Sequence, residues 1–454
     1  MSGIHSEHGG HQLPRLRQNV PPYTPLLYVL TSVLVGGAAF YCTAPALAQT
    51  QASTVPVLVS KSLSERQAIA MALTRPAMVA VTQSQFELAE SNVQAASMLA
   101  NPTLSYGRER VDVLGDRRTE SSILVSQTID ISGRRTLKKE SAEQLLIASR
   151  EDGRHYRATV VTEVRRVFAD NLYRKEMIQS LSAWTMRLER VHQNVQKMAK
   201  SGEISGYDGR RLTRELQTGQ ARLVSAQTDL VRARMRLTGL TGLTEHHDST
   251  SSMPLIEVTG ELLPEASKNL LFYQAALPGR PDLTALKAQA ESFRRDQQIA
   301  ARSWVPELNI GLGQKRMEES GRSHAGMMVS LSVPLAVFDR GQASSARANA
   351  QLTSNQAQTN LLLREAQSEL QGSWTQATAL RETAEKFRRD TLADTQVLSR
   401  IAETAYQAGE GSIVELLDAY RAQLDAELLG LELEWRARLA SIELDYLAGV
   451  THHE

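Results

Sequence analysis

Ala408-Gly409-Glu410-Gly411-Ser412-Ile413-Val414-Glu415-Leu416-Leu417-Asp418-Ala419 interrupts a very long run of helix-compatible sequence and then restarts it. An earlier stretch, Ser201-Gly202-Glu203-Ile204-Ser205-Gly206-Tyr207-Asp208, repeats its Gly-Glu-x-Ser core, pairing Gly202 with Gly409, Ser205 with Ser412 and Asp208 with Glu415. In each copy the glycine can stop a helix in a left-handed cap, and the serine can cap the next helix with a carboxylate in its first turn. Each stretch is expected to be the tip of a helical hairpin.

Working outward, other landmarks recur at nearly the same offset: Pro76 to Pro281, Pro102 to Pro306, Gly202 to Gly409 and Gly242 to Gly449 are 204–207 residues apart. A constant offset marks an internal duplication. The chain is expected to divide into a first repeat at 63–248 and a second at 264–450, with linkers at 49–62 and 249–263 and a tail at 451–454.

Composition narrows the class. A net charge of +1 over 454 residues excludes nucleic-acid binding by bulk charge, and a single cysteine, Cys42, excludes an intrachain disulfide framework. No proline lies between Pro102 and Pro254 or after Pro334, which leaves two long stretches free of the strongest helix breaker. Residues 1–48 read as an export signal: Arg15 and Arg17 lead an apolar run, Leu26–Ala39, short for a membrane span, and Ala46-Leu47-Ala48 supplies small residues for cleavage. Bulky Phe40 and Tyr41 precede Cys42, so no lipid anchor is expected.

Between the helices lie extended pieces. Leu308, Ile310 and Leu312, then Met327, Val329, Leu331, Val333 and Leu335, alternate with small or polar residues, as do Thr103–Arg110 and Ile123–Ile131 in the first half. Two β-hairpins, four strands in all, are expected, with polar turns around Gly115-Asp116-Arg117 and Glu318-Glu319-Ser320-Gly321. Strands of about ten residues suit a tilted bilayer crossing. A soluble sheet with one buried face gives the same alternation. Four strands cannot close a barrel, so in a membrane several chains would have to pool them.

Arg134–Lys200 and Gly341–Ala408 could each run about 100 Å as helix. After the first tip, Leu212, Leu216, Gly219, Leu223, Ala226, Leu230, Ala233 and Leu237 form a heptad seam. After the second, Leu417, Tyr420, Leu424, Leu428, Leu431, Trp435, Leu439, Ile442 and Tyr446 recur with an eleven-residue period. The expected fold class is mainly α, built of long coiled-coil hairpins, with a small membrane β part.

The second tip, preceded by Tyr406, resembles the periplasmic tip of the TolC outer-membrane efflux duct family, and residues 64–450 follow that family's order. Val125-Ser126-Gln127-Thr128-Ile129-Asp130-Ile131-Ser132-Gly133-Arg134-Arg135 and Val333-Pro334-Leu335-Ala336-Val337-Phe338-Asp339-Arg340-Gly341 are similar to strand-to-helix junctions of its heavy-metal, cobalt-zinc-cadmium branch. The resemblance implies a homotrimer whose twelve pooled strands form one barrel in outer-membrane lipid above a helical tunnel. It implies as partners a periplasmic adaptor and an inner-membrane proton-driven pump, with divalent metal cations as cargo. A drug-efflux or type I secretion duct on the same fold, and an exported coiled-coil scaffold, remain the alternatives.

No nucleophile-base constellation, phosphate loop or clustered Cys/His pattern occurs, so neither an enzyme nor a cofactor is expected. The resemblance implies a gate and cation-selective ring at Tyr406, Asp208, Glu415 and Asp418, where crowded carboxylates favour cations. Helix capping by Asp208 and Glu415 and a solvated Asp418 are the simpler reading of the same residues. Gly202, Glu203, Ser205, Gly409, Glu410 and Ser412 would meet the adaptor. The pairs His246-His247 and His452-His453, each beside a carboxylate, close the two repeats and stand as candidate metal ligands, although adjacent histidines on polar tails are ordinarily solvated.

Overall fold

The computed structural model describes residues 62–113, 116–200, 205–243, 257–319 and 321–450. The export signal, Gly202, Glu203 and the four paired histidines lie outside them. The first half runs β1 (Ser62–Leu63), α1 (Glu65–Thr74), α2 (Pro76–Ser97), β2 (Thr103–Val113), β3 (Asp116–Ile129), α3 (Arg134–Lys200) and α4 (Gly206–Thr241). The second runs β4 (Glu257–Val258), α5 (Leu270–Ala276), α6 (Pro281–Ala301), β5 (Leu308–Glu319), β6 (Arg322–Ser332), α7 (Gln342–Phe387), α8 (Ala393–Gln407) and α9 (Ile413–Ala448).

Local chemistry sets the helix ends. Ser64 and Gln67 cap α1 reciprocally, and Pro76 and Pro281 open α2 and α6 at the first turn, where a missing N–H costs nothing. Gly242 and Gly449 end α4 and α9 in left-handed caps. At both ends the arginine of an Arg-Pro pair supplies the final donors. Arg75 Nη1 donates to the carbonyls of Gly239 (2.7 Å) and Leu240 (3.2 Å), and Arg280 Nη1 donates to that of Leu447 (2.9 Å). A cation at a helix C-terminus also meets its negative dipole end.

The helices bury the seams expected after the first tip. Leu212, Leu216, Gly219, Ala226, Leu230, Ala233 and Leu237 are buried, with Leu223 packed at the edge. Gly219 is there because Trp184 of α3 lies across it: a Cβ would come within 2.7 Å of the indole. On α9 the single eleven-residue stripe is too simple. Leu417, Tyr420, Leu424 and Ile442 are buried, but so are Leu416, Gly430, Ala437, Ala440 and Leu444, because α9 packs against α3 on one side and α7 and α8 on another. The expected unbroken helix from Gly341 is also interrupted: residues Arg388–Leu392 form a wider, π-helical turn between α7 and α8. Both stretches read as linkers take part in structure, pairing Ser62 with Glu257 and Leu63 with Val258 as a short parallel bridge.

The two hairpins form one antiparallel sheet in the order β2-β3-β5-β6, with the repeats joined through β3 and β5. Register aligns Leu104 with Val125, Val125 with Leu312 and Leu312 with Val329, so one face carries an exposed apolar band that also includes Tyr106, Ile123, Met327 and Leu331. The other face is mostly small and polar, with Ser105, Gly107, Ser122, Ser126, Gly311, Gly313 and Ser330 around the apolar Leu124 and Met328. A Cβ on Gly313 would run into the Ile123 backbone, so this face can close inward only with glycine there. The strands extend past the apolar alternation into the residues expected as turns, through Val113, Asp116, Glu319 and Arg322. At the opposite end they stop short of Ile131 and of Val333–Leu335, where Pro334 cannot donate to a ladder. No helix among the described residues is long and apolar enough to cross a membrane.

Candidate functional site at the helical tips

The second tip is closed by backbone hydrogen bonds that need its glycines. Gly409 adopts φ 75°, the N–H groups of Glu410 and Gly411 both reach the Ala405 carbonyl (3.0 Å each), and Gly411 sits so close that a Cβ would lie 3.2 Å from the Ala405 methyl and the Tyr406 nitrogen. Ser412 then starts α9 with a complete capping box: its Oγ accepts from the Glu415 N–H (3.2 Å), and Glu415 Oε2 accepts from the Ser412 N–H (2.8 Å). That backbone donor holds the Glu415 carboxyl below the usual carboxylate range. The Glu415 carboxylate is thus engaged in capping. At the first tip Ser205 caps α4, accepting from the Tyr207 N–H (3.2 Å), and Asp208 stands in the first turn.

Tyr406 and Asp208 come together. Tyr406 is half-buried against a core made by Leu188, Leu212, Leu416, Leu417 and Tyr420, and burial, followed by the nearby Asp208 charge, pushes its phenol pKa upward. Its Oη is enclosed and has no hydrogen-bond partner among the described residues. Tyr420 beneath it is pushed up to about 12 by burial and by Glu403. Asp418 is exposed on α9, with Arg421 Nη1 3.7 Å away. Ser205, Gly409, Glu410 and Ser412 are exposed at the ends of the tips.

Sequence reasoning missed Arg421 and Glu215. Arg421 Nε donates to Glu215 Oε1 (2.9 Å) and its Nη2 to Oε2, a two-pronged pair that ties α9 to α4 across the two hairpins. The Arg421 hydrogen bond holds the Glu215 carboxyl below its ordinary value despite its burial. The only sequence signal was a glutamate one helical turn after Leu212, on the inward face of a heptad seam. Gly411 was likewise not singled out, although its packing under Tyr406 fixes the loop. Among the described residues no group of three or more histidine, aspartate or glutamate side chains could hold a metal ion.

Paired helical hairpins joined to a four-stranded antiparallel sheet with one apolar face and two open edges are the architecture of solved outer-membrane channels on which the chain superposes. The profile of the outer membrane efflux protein family matches residues 272–450. It is 23% identical over 413 residues to the cobalt-zinc-cadmium resistance protein CzcC of Cupriavidus metallidurans, covering 89% of this chain and 95% of that one. It is 22% identical over 265 residues to the nickel-cobalt-cadmium resistance protein NccC of Alcaligenes xylosoxydans xylosoxydans, covering 56% and 57%. The crystal structure of the outer membrane protein VceC from Vibrio cholerae superposes with a TM-score of 0.67 at 17% identity, covering 85% of this chain and 96% of that one.

Proposed function

We propose that this protein is the outer-membrane exit duct of a tripartite resistance-nodulation-division type efflux system that exports divalent heavy-metal cations. The observation that carries the duct is the sheet: an apolar face over four strands, with edges β2 and β6 left unpaired, needs other copies to complete it in lipid. Because the strand number is even, β6 of one copy meets β2 of the next antiparallel, so three identical chains close a twelve-stranded barrel without a parallel seam. The likeness to two metal-resistance proteins supports the cargo.

The duct does no chemistry on its substrate and holds no energy source; it opens and shuts at its tips. Tyr406, whose enclosed Oη has no hydrogen-bond partner among the described residues, and the nearby Asp208 are the latch. In a trimer Asp208, Glu415 and Asp418 gather as the cation-selective ring, and Ser205, Gly409, Glu410 and Ser412, with Gly202 and Glu203, meet the adaptor that links the duct to the inner-membrane pump. Growth of deletion and complemented strains on zinc, cobalt, cadmium, nickel and copper, beside dyes and antibiotics, tests the cargo. Sensitivity confined to metals is expected; sensitivity confined to organic compounds overturns the metal assignment and keeps the duct. Replacing Tyr406→Phe with Asp208→Ala is expected to raise single-channel conductance in planar bilayers, and conductance equal to wild type would sink the latch.

A further inference from the structure

The helix leading down to the second tip carries one residue too many for its seam. Leu370, Ala377 and Ala384 of α7 are buried at seven-residue intervals. Below them Leu392, Ser399 and Tyr406 turn inward, again at seven-residue intervals, but the step from Ala384 to Leu392 is eight. In an uninterrupted α-helix the seam would continue through Thr391, Leu398 and Ala405. It does not: Leu398 is 62% exposed and Ser399 is 3% exposed. The widened turn at Arg388–Leu392 absorbs the extra residue. Left in a regular helix, that residue would rotate everything below it by about 100° and carry Tyr406 off the tip core.

The same turn divides a held segment from a loosely held one. Above it, Trp374 Nε1 donates to the Lys268 carbonyl (2.9 Å), Arg381 Nε donates to that of Pro264 (3.1 Å), and Phe387 rests against Gly430 of α9; Arg388, the first residue of the turn, lies 3.5 Å from Glu434. Below it, α8 buries only Ser399 and leaves Val397, Leu398 and Ile401 exposed. A wider turn has weaker backbone geometry than the α-helix on either side, which makes it the place where bending costs least.

We propose that the extra residue in Arg388–Leu392 is the positioning element of the tip gate: it sets Tyr406 in phase with the core and gives α8 the pivot on which the tip swings open. The proposal rests on the gate reading above. Deleting Asp390, or separately Thr391, shortens the step to seven, so the helix becomes regular while Tyr406 keeps its phase. Either deletion is expected to yield oligomers of wild-type size that stay closed to vancomycin but support at least tenfold less metal tolerance in a complemented strain. Tolerance equal to wild type overturns the pivot. Inserting one alanine after Asp390 makes the step nine and turns Tyr406 away; a vancomycin leak matching that of Tyr406→Ala is expected, and a tight insertion variant beside a leaking Tyr406→Ala overturns the positioning. If Tyr406→Ala itself stays tight, the latch reading fails and the deletions alone decide the pivot. Hydrogen exchange on the wild-type protein requires no variant: amides of 388–392 should exchange at least tenfold faster than those of 377–387, and equal protection overturns the proposal even if the deletion chains do not assemble.

Discussion

Helix α3 and the α7–α8 run hold matching places in the order of elements, each leading from a β-hairpin to a tip, yet they are built differently. The first is one helix of 67 residues; the second is 46 residues, a widened turn and 15 more. Helix α3 is packed by α1, α2, α4, α6 and α9, whereas among the described residues α8 leans mainly on α9 and the turn above it. The difference teaches that a duplicated plan can yield one rigid wall and one jointed arm. Rigidity comes from neighbours on several faces, since helix propensity alone stabilises little.

Four substitutions probe that contrast. Gly219→Leu would drive a side chain into Trp184 and wedge α4 off α3, for a loss of about 3 kcal/mol in urea unfolding of the detergent-purified protein. A loss below about 1 kcal/mol would mean the wall is no tighter than the arm. Glu215→Ala leaves Arg421 with the exposed, more distant Asp418 (3.7 Å) in place of its two-pronged partner; because that guanidinium keeps 33% of its side chain in solvent, about 2 kcal/mol is expected, less than for a fully enclosed pair. The Glu215 pKa is depressed in the folded chain, so its contribution is complete above the unfolded value of about 4.3 and disappears as pH falls through the lower folded one. Wild type and Glu215→Ala should therefore differ by a constant amount from pH 7 to about 5 and converge below about 4. A difference that vanishes by pH 6 would refute the pairing. The smallest effect belongs to Ser412→Ala, which removes the capping box of α9 at a cost of about 1 kcal/mol. Its match, Ser64→Ala on α1, should cost the same, and an unequal pair would show that the tip carries strain that the upper helix does not.

Much of this architecture could be read from residue spacing. The seam from Leu212 to Leu237, the cap at Gly409 and the two hairpins follow from periodicity and from where glycine and proline fall, whereas Gly242 and Gly449 stood only as landmarks of the repeat. Spacing alone did not show that Arg75 and Arg280 reach the ends of α4 and α9, because contacts between residues more than 160 positions apart leave no local trace. Strand ends were misplaced because the ladders outrun the apolar band: Arg117, Arg118, Glu318 and Glu319 keep pairing where side chains are polar. The widened turn did have a signal, the eight-residue step after Ala384, but alanine and serine seams are too faint to phase by hydropathy. At the tip, Glu415 was read as cap and as ring; its Oε2 accepts from the Ser412 N–H, an engagement that sequence alone did not show.

The pairing of β3 with β5 imposes an order of events. Ile129 pairs with Leu308, so the centre of the sheet cannot form until more than two thirds of the chain has been exported. Until then the β2–β3 hairpin waits with its apolar face and one edge uncovered, a slow and adhesive intermediate of the kind that distant strand partners create. Helix α3, complete by Lys200, can meanwhile fold against α2 and α4 from nearby contacts alone. The first helical hairpin is thus an early product of biogenesis and the joined sheet a later one, and a chain cut short between Thr241 and Leu308 would leave a folded helical stump with a solitary hairpin for quality-control proteases to find.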